Sequence, residues 1–156
     1  MCYMIVLSTD TDFDLTRLSS SLFAFSREMP RVAETVYLTH AHHWYLASSE
    51  GCSCSFRHLS GESVTLGFGA PEDWFPEHAD HVAATAQVVA AFRSILASGA
   101  QLDCIDAWAS DDPAPTPLND TVQVDLGAMP APHFRFFEQH RLVLTDSSLT
   151  SASPLA

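Results

Sequence analysis

Residues 40–59, HAHHWYLASSEGCSCSFRHL, concentrate the side chains able to do chemistry: His40, His42, His43 and His58, with Cys52 and Cys54, out of eight histidines and four cysteines in all. Thiolate and imidazole donors together suit Zn²⁺ or Cu⁺, so Cys52, Cys54, His58, His42 and His43 are the candidate metal ligands. The same cysteines support a second chemistry. Cys52 or Cys54, activated by a neighbouring histidine, would act as a nucleophile with Arg57 holding an anion. As a Cys-x-Cys pair on a strand, their Cα atoms would lie about 6.6 Å apart, near the upper limit for a disulfide, and such a bond would be strained and easily reduced.

Local patterning turns this segment into an expected β-hairpin. Trp44, Tyr45 and Leu46 favour a strand, as does Phe56, with Ser49-Glu50-Gly51 as the turn between them. Alternation then puts Cys52, Cys54, Phe56 and His58 on one face of the second arm. Pairing Ser48 with Cys52 sets His42 across from His58; the shorter loop sets His43 there instead. A regular strand would separate Cys54 from His58 by roughly 13 Å, too far for one ion. The hairpin therefore offers two sub-sites, a dithiol at one end and a histidine pair toward the other. The competing reading makes the cysteines core residues, since free cysteine is among the most buried residue types.

Other residues carry weaker signals. Asp10, Asp12 and Asp14 alternate after the first strand, but an EF-hand loop would need Gly and Glu where Leu15 and Ser21 stand; the aspartates read as a solvated turn with a helix cap. His78 and His81 share one face at the start of a helix, and read as exposed first-turn residues. Asp106 alternates with Cys104 and Trp108 on a buried strand face, so it needs a partner, which Arg57 or His58 could supply.

Composition removes whole classes of function. The chain has 156 residues, 47% hydrophobic, with a net charge of −12. Its seven basic residues are all arginine. Binding to nucleic acid or to an anionic membrane calls for clustered positive charge, which is absent. Without lysine there is no Schiff-base chemistry and no P-loop. No apolar stretch approaches the roughly 20 residues of a membrane span, and the apolar run near the start is shorter than a signal-peptide core. The expected location is the cytoplasm, with reduced cysteines. A non-catalytic, acidic interaction module with structural cysteines is the alternative function, its partner a protein; otherwise the partner is a small molecule.

The elements that position these residues follow from periodicity. Strands are expected at Cys2 to Leu7, Leu22 to Ser26, Thr35 to Thr39, around Val64 to Leu66, at Leu102 to Ala109 and at Thr121 to Leu126. A closing hairpin is expected from His133 to Phe137 and Arg141 to Thr145. Leu15 to Ser21 suits a helical turn. One long helix is expected over about residues 76–98: Pro76 and Glu77 open it, Gly99 ends it, and Val82, Ala86, Val89, Phe92 and Leu96 form one apolar stripe. The fold expected is a single α+β domain over 1–146, a mostly antiparallel sheet with that helix packed on one face, and a disordered tail over 147–156.

Overall fold

A computed structural model describes residues 2–151 of the chain, with Thr150 and Ser151 described by their backbone alone. Eight strands form: β1 (Tyr3–Thr9), β2 (Phe23–Ser26), β3 (His42–Ser48), β4 (His58–Leu59), β5 (Leu102–Trp108), β6 (Asp120–Asp125), β7 (Phe136–Phe137) and β8 (His140–Thr145). The helices are α1 (Ala79–Ala97) and α2 (Ser147–Ser151). The fold is α+β. A six-stranded sheet runs in the order β2-β3-β1-β5-β8-β6, and β4 with β7 makes a separate two-stranded sheet. Every pairing in the large sheet is antiparallel except β6 with β8.

The two faces of the sheet are sorted by alternation. Ile5 and Leu7 of β1, with Trp44 and Leu46 of β3 and Leu102 and Cys104 of β5, join the main core with Val88, Val89, Phe92 and Ile95 of α1. Val6, Ile105 and Ala107 point to the other face, where Val32 and Leu38 cover them. α1 starts later than the proline suggested. His78 is its N-cap and accepts from the Asp80 N–H at 3.3 Å. The helix ends as expected at Gly99, whose φ of 89° closes it in the left-handed region.

Two expected hairpins do not form, because the edges they need are taken. β3 lies between β1 and β2, so both its edges are occupied and the chain after Gly51 cannot fold back on it. The turn itself is as expected, with Ser48 N–H donating to Cys52 O at 2.7 Å. Beyond it the chain leaves β3, and β4 pairs in parallel with β7 instead. The closing hairpin is divided in the same way, because β8 inserts between β5 and β6 while β7 goes to β4. The strand expected over residues 35–39 does not form either: residues 35–37 belong to a 3-10 turn, Ala33–Tyr37, and Tyr37 and Leu38 pack over the second face of the sheet. Gly61–Leu66 is also a 3-10 helix, flanked by positive φ at Gly61 and Gly67, which breaks extended pairing. Of the expected disordered tail, residues 152–156 lie outside the described residues.

Candidate functional site

Ser53 organises the site. The β1–β3 pairing stops at Ile5–Leu46, so one edge of β1 is open at Tyr3, and the turn after Gly51 fills it. Ser53 N–H donates to Tyr3 O at 3.0 Å. Its hydroxyl accepts from Ile5 N–H at 2.8 Å and donates to Leu46 O at 2.5 Å, standing between two residues that face each other across β1 and β3. Its carbonyl accepts from His58 Nε2 at 2.6 Å. Every polar group of this fully buried serine is thus engaged. The cysteines on either side are presented from a backbone held at three points.

What they meet is Cys2, the residue that leads into β1. Its carbonyl accepts from Ala109 N–H at 3.0 Å, which extends the β1–β5 ladder and fixes the start of the strand. The sulfurs of Cys2, Cys52 and Cys54 lie within 4.8 Å of one another, each thiol half-buried. Among the described residues no histidine or carboxylate joins them. Cys54 N–H points at Cys52 Sγ at 3.4 Å. Burial opposes ionisation of Cys52, yet hydrogen bonds from the thiol and N–H of Cys54 and from Cys2 outweigh it, leaving the Cys52 thiol below its ordinary value. Cys54 behaves oppositely: burial and its hydrogen bond to Cys52 push it up to about 12. Of these two thiols, Cys52 gives up its proton the more readily. Cys104, fully buried on β5, has its thiol raised well above the usual range by burial and stands apart from this chemistry.

The histidines expected to accompany the thiols are placed elsewhere. His42 and His43 pair with Thr9 and Ser8 at the far end of β3, roughly 16 Å of strand from the turn. Neither faces His58, because β3 and β4 are not partners. His58 is close to the thiols, but both ring nitrogens are committed: Nε2 to Ser53 O, and Nδ1 to Asp106 Oδ2 at 2.6 Å. It supports the turn and offers no free nitrogen to an ion. The need of Asp106 for a partner, visible in the strand pattern, is met by this histidine. Burial works against the protonated ring, but the charge and hydrogen bond of Asp106 and the Ser53 carbonyl outweigh it and leave the His58 value raised. Asp106 is raised as well, by burial.

Arg57 is also diverted. Its Nε and Nη2 donate to Glu77 Oε1 and Oε2 at 2.8 and 2.5 Å, and its Nη1 to Pro132 O and Phe134 O. Arg135 binds the same Glu77 carboxylate at 2.9 Å. All three guanidinium nitrogens of Arg57 are occupied within a buried cluster, so it is not placed to hold an anion for a reacting cysteine. Its function is to dock β4 and the residues before β7 against the segment leading into α1.

Around the thiols lies an aromatic stack. Tyr3 is sandwiched between His58 and Trp108, with ring centroids at 4.0 and 4.2 Å. Trp108 Nε1 donates to Glu138. The Tyr3 hydroxyl is pushed up to about 12 by burial and then by the charges of Glu138 and Asp106. The field at the Tyr3 hydroxyl is thus negative. Cys2, Tyr3 and Ser53 have no local sequence signature for this arrangement, because it arises from a gap in a strand edge. No family model, curated protein or solved structure matches the chain.

Proposed function

We propose that the protein binds a thiophilic transition metal, Zn²⁺ or Cu⁺, through Cys2, Cys52 and Cys54. The observation that carries this reading is the gathering of three sulfurs within 4.8 Å from two segments some fifty residues apart. Zinc–sulfur bonds of about 2.3 Å place the sulfurs of a tetrahedral site about 3.8 Å apart, a closure that rotation of half-buried side chains can supply. Soft thiolates select Zn²⁺ and Cu⁺ over the hard cations. Free thiols fit a reducing compartment such as the cytoplasm. Among the described residues no helix is long and apolar enough to cross a membrane.

A second reading rests on the lowered Cys52 thiol: Cys52 as a nucleophile, with Cys2 and Cys54 as neighbouring thiols able to form a disulfide with it. Titration of reduced protein with Zn²⁺ against a chromophoric chelator separates the two. One tightly held ion per chain, lost in Cys52→Ser/Cys54→Ser, supports the metal site. No retention of metal, together with selective modification of Cys52, supports the thiol reading alone.

A further inference from the structure

We propose that the groove beside Cys54 binds a small molecule carrying both a thiol and a carboxylate, whose sulfur completes the coordination of the bound metal. This rests on the three-thiolate reading above and extends it to a ligand class. Structural zinc sites have four protein ligands, whereas sites with three keep one position for an exogenous donor. Cys2, Cys52 and Cys54 are joined by no histidine or carboxylate among the described residues, so the set is one donor short. Cys54 also lines a groove of about 370 Å³, walled by Tyr3, Phe56, His58, His78 and His81. That volume lies within the range of small-ligand pockets, about 300–1,000 Å³. Cys54 is the residue that the groove and the thiol cluster share.

The wall of the groove points to the rest of the ligand. Arg57 and Glu77 line it, and Arg135 shares the Glu77 carboxylate. Two guanidinium charges against one carboxylate leave this cluster with one positive charge in excess, which acts on a ligand through its field alone, because every Arg57 nitrogen is already bonded. His78 and His81 stand beside it with ring centroids 5.1 Å apart, offering imidazole nitrogens to an acceptor. Burial and the neighbouring His78 keep His81 below its ordinary value, so it meets a carboxylate chiefly as a neutral hydrogen-bond donor. A carboxylate at this end and a sulfur at the Cys54 end span the groove. The ligand thiol adds as a thiolate, its proton passing to solvent, and no electrons are transferred.

Cobalt(II) in place of zinc gives the test, because sulfur-to-cobalt charge-transfer absorption reports bound thiolates. Reduced protein loaded with Co²⁺ is titrated with 3-mercaptopropionate, with propionate and 2-mercaptoethanol as the arms that lack one group. The expected result is a saturable rise of about a third in charge-transfer intensity with 3-mercaptopropionate, as thiolates go from three to four. Propionate gives no rise, and 2-mercaptoethanol binds more weakly. His78→Ala/His81→Ala weakens 3-mercaptopropionate by about tenfold or more, the worth of a hydrogen bond to a charged group, and leaves Co²⁺ affinity unchanged. Spectra unaltered by 3-mercaptopropionate while Co²⁺ stays bound overturn the groove ligand and leave the metal site standing. Failure of Co²⁺ to bind the three thiols overturns both.

Discussion

His58 and Asp106 hold one proton between them at a separation of 2.6 Å, inside the protein. The other ring nitrogen of His58 faces the Ser53 carbonyl and must therefore donate, so the proton at Nδ1 is additional. Removing one partner of a buried pair leaves the other uncompensated, at a cost of about 3–5 kcal/mol. Asp106→Ala is expected to lose stability on that scale in urea denaturation. His58→Leu/Asp106→Leu recovers part of the loss, because both polar groups are then gone.

The same pair sets a pH dependence. His58 and Asp106 both have raised values in the folded protein, so the native state keeps a proton that the unfolded chain releases. The stability contributed by His58 is fully present below its unfolded value of 6.5 and falls as pH rises through its higher folded value. Stability curves from pH 6 to 8 should decline with rising pH, and His58→Gln should flatten the decline. An unchanged slope in that variant would place the proton elsewhere.

Much of this arrangement can be read from sequence. Alternation in residues 102–108 sets Asp106 on an apolar face, and a carboxylate there demands a partner whatever the topology. The long helix and the strands at β1, β3, β5 and β6 follow from local periodicity in the same way. What local patterning misses is competition for edges. Nothing in residues 40–59 indicates that β1 and β2 will occupy both sides of β3, and so the second arm was expected to pair where no edge is free. The partner of Cys52 and Cys54 is hidden for the same reason. Cys2 reaches them only because β1 runs on beyond its pairing with β3, a relation between segments far apart in the chain.

Ser53 tests how the turn is held. Ser53→Ala removes the hydroxyl that satisfies Ile5 N–H and Leu46 O, each loss of a buried partner costing about 1–3 kcal/mol. Metal affinity should fall along with stability, since the same bonds present Cys52 and Cys54. Ser53→Cys, whose sulfur is a weak hydrogen-bonding group, should recover little. Calorimetry of unfolding and of metal binding reads both effects.

Glu77 balances two buried guanidiniums, with side-chain exposures of 0% for Arg57 and 2% for Arg135. Glu77→Gln removes the compensating charge and is expected to cost about 3–5 kcal/mol. The Glu77 carboxyl, though raised by burial, is held below its ordinary value by hydrogen bonds from Arg57 and Arg135. Its contribution is present above the unfolded value of 4.5 and is lost as pH falls through the folded one. Acid unfolding of Glu77→Gln should therefore show a shallower pH dependence below 4.5 than the parent protein.

Thiol labelling ranks the cysteines. Cys52, with its lowered value, should be alkylated first near neutral pH in metal-free protein, and Cys104 only on unfolding. Peptide mass spectrometry over a time course gives the order directly. Equal rates at Cys52 and Cys54 would show that the hydrogen bonds between them do not govern ionisation.

The central claim is that the fold brings Cys2 to the Cys52–Cys54 turn as a third metal ligand. X-ray absorption at the zinc edge of reduced, zinc-loaded protein counts the sulfurs. The account predicts one ion per chain with three protein sulfurs at about 2.3 Å, and a Cys2→Ser variant that is folded, binds more weakly and shows one sulfur fewer. A sphere without sulfur, or an identical sulfur count and affinity in Cys2→Ser, would contradict it.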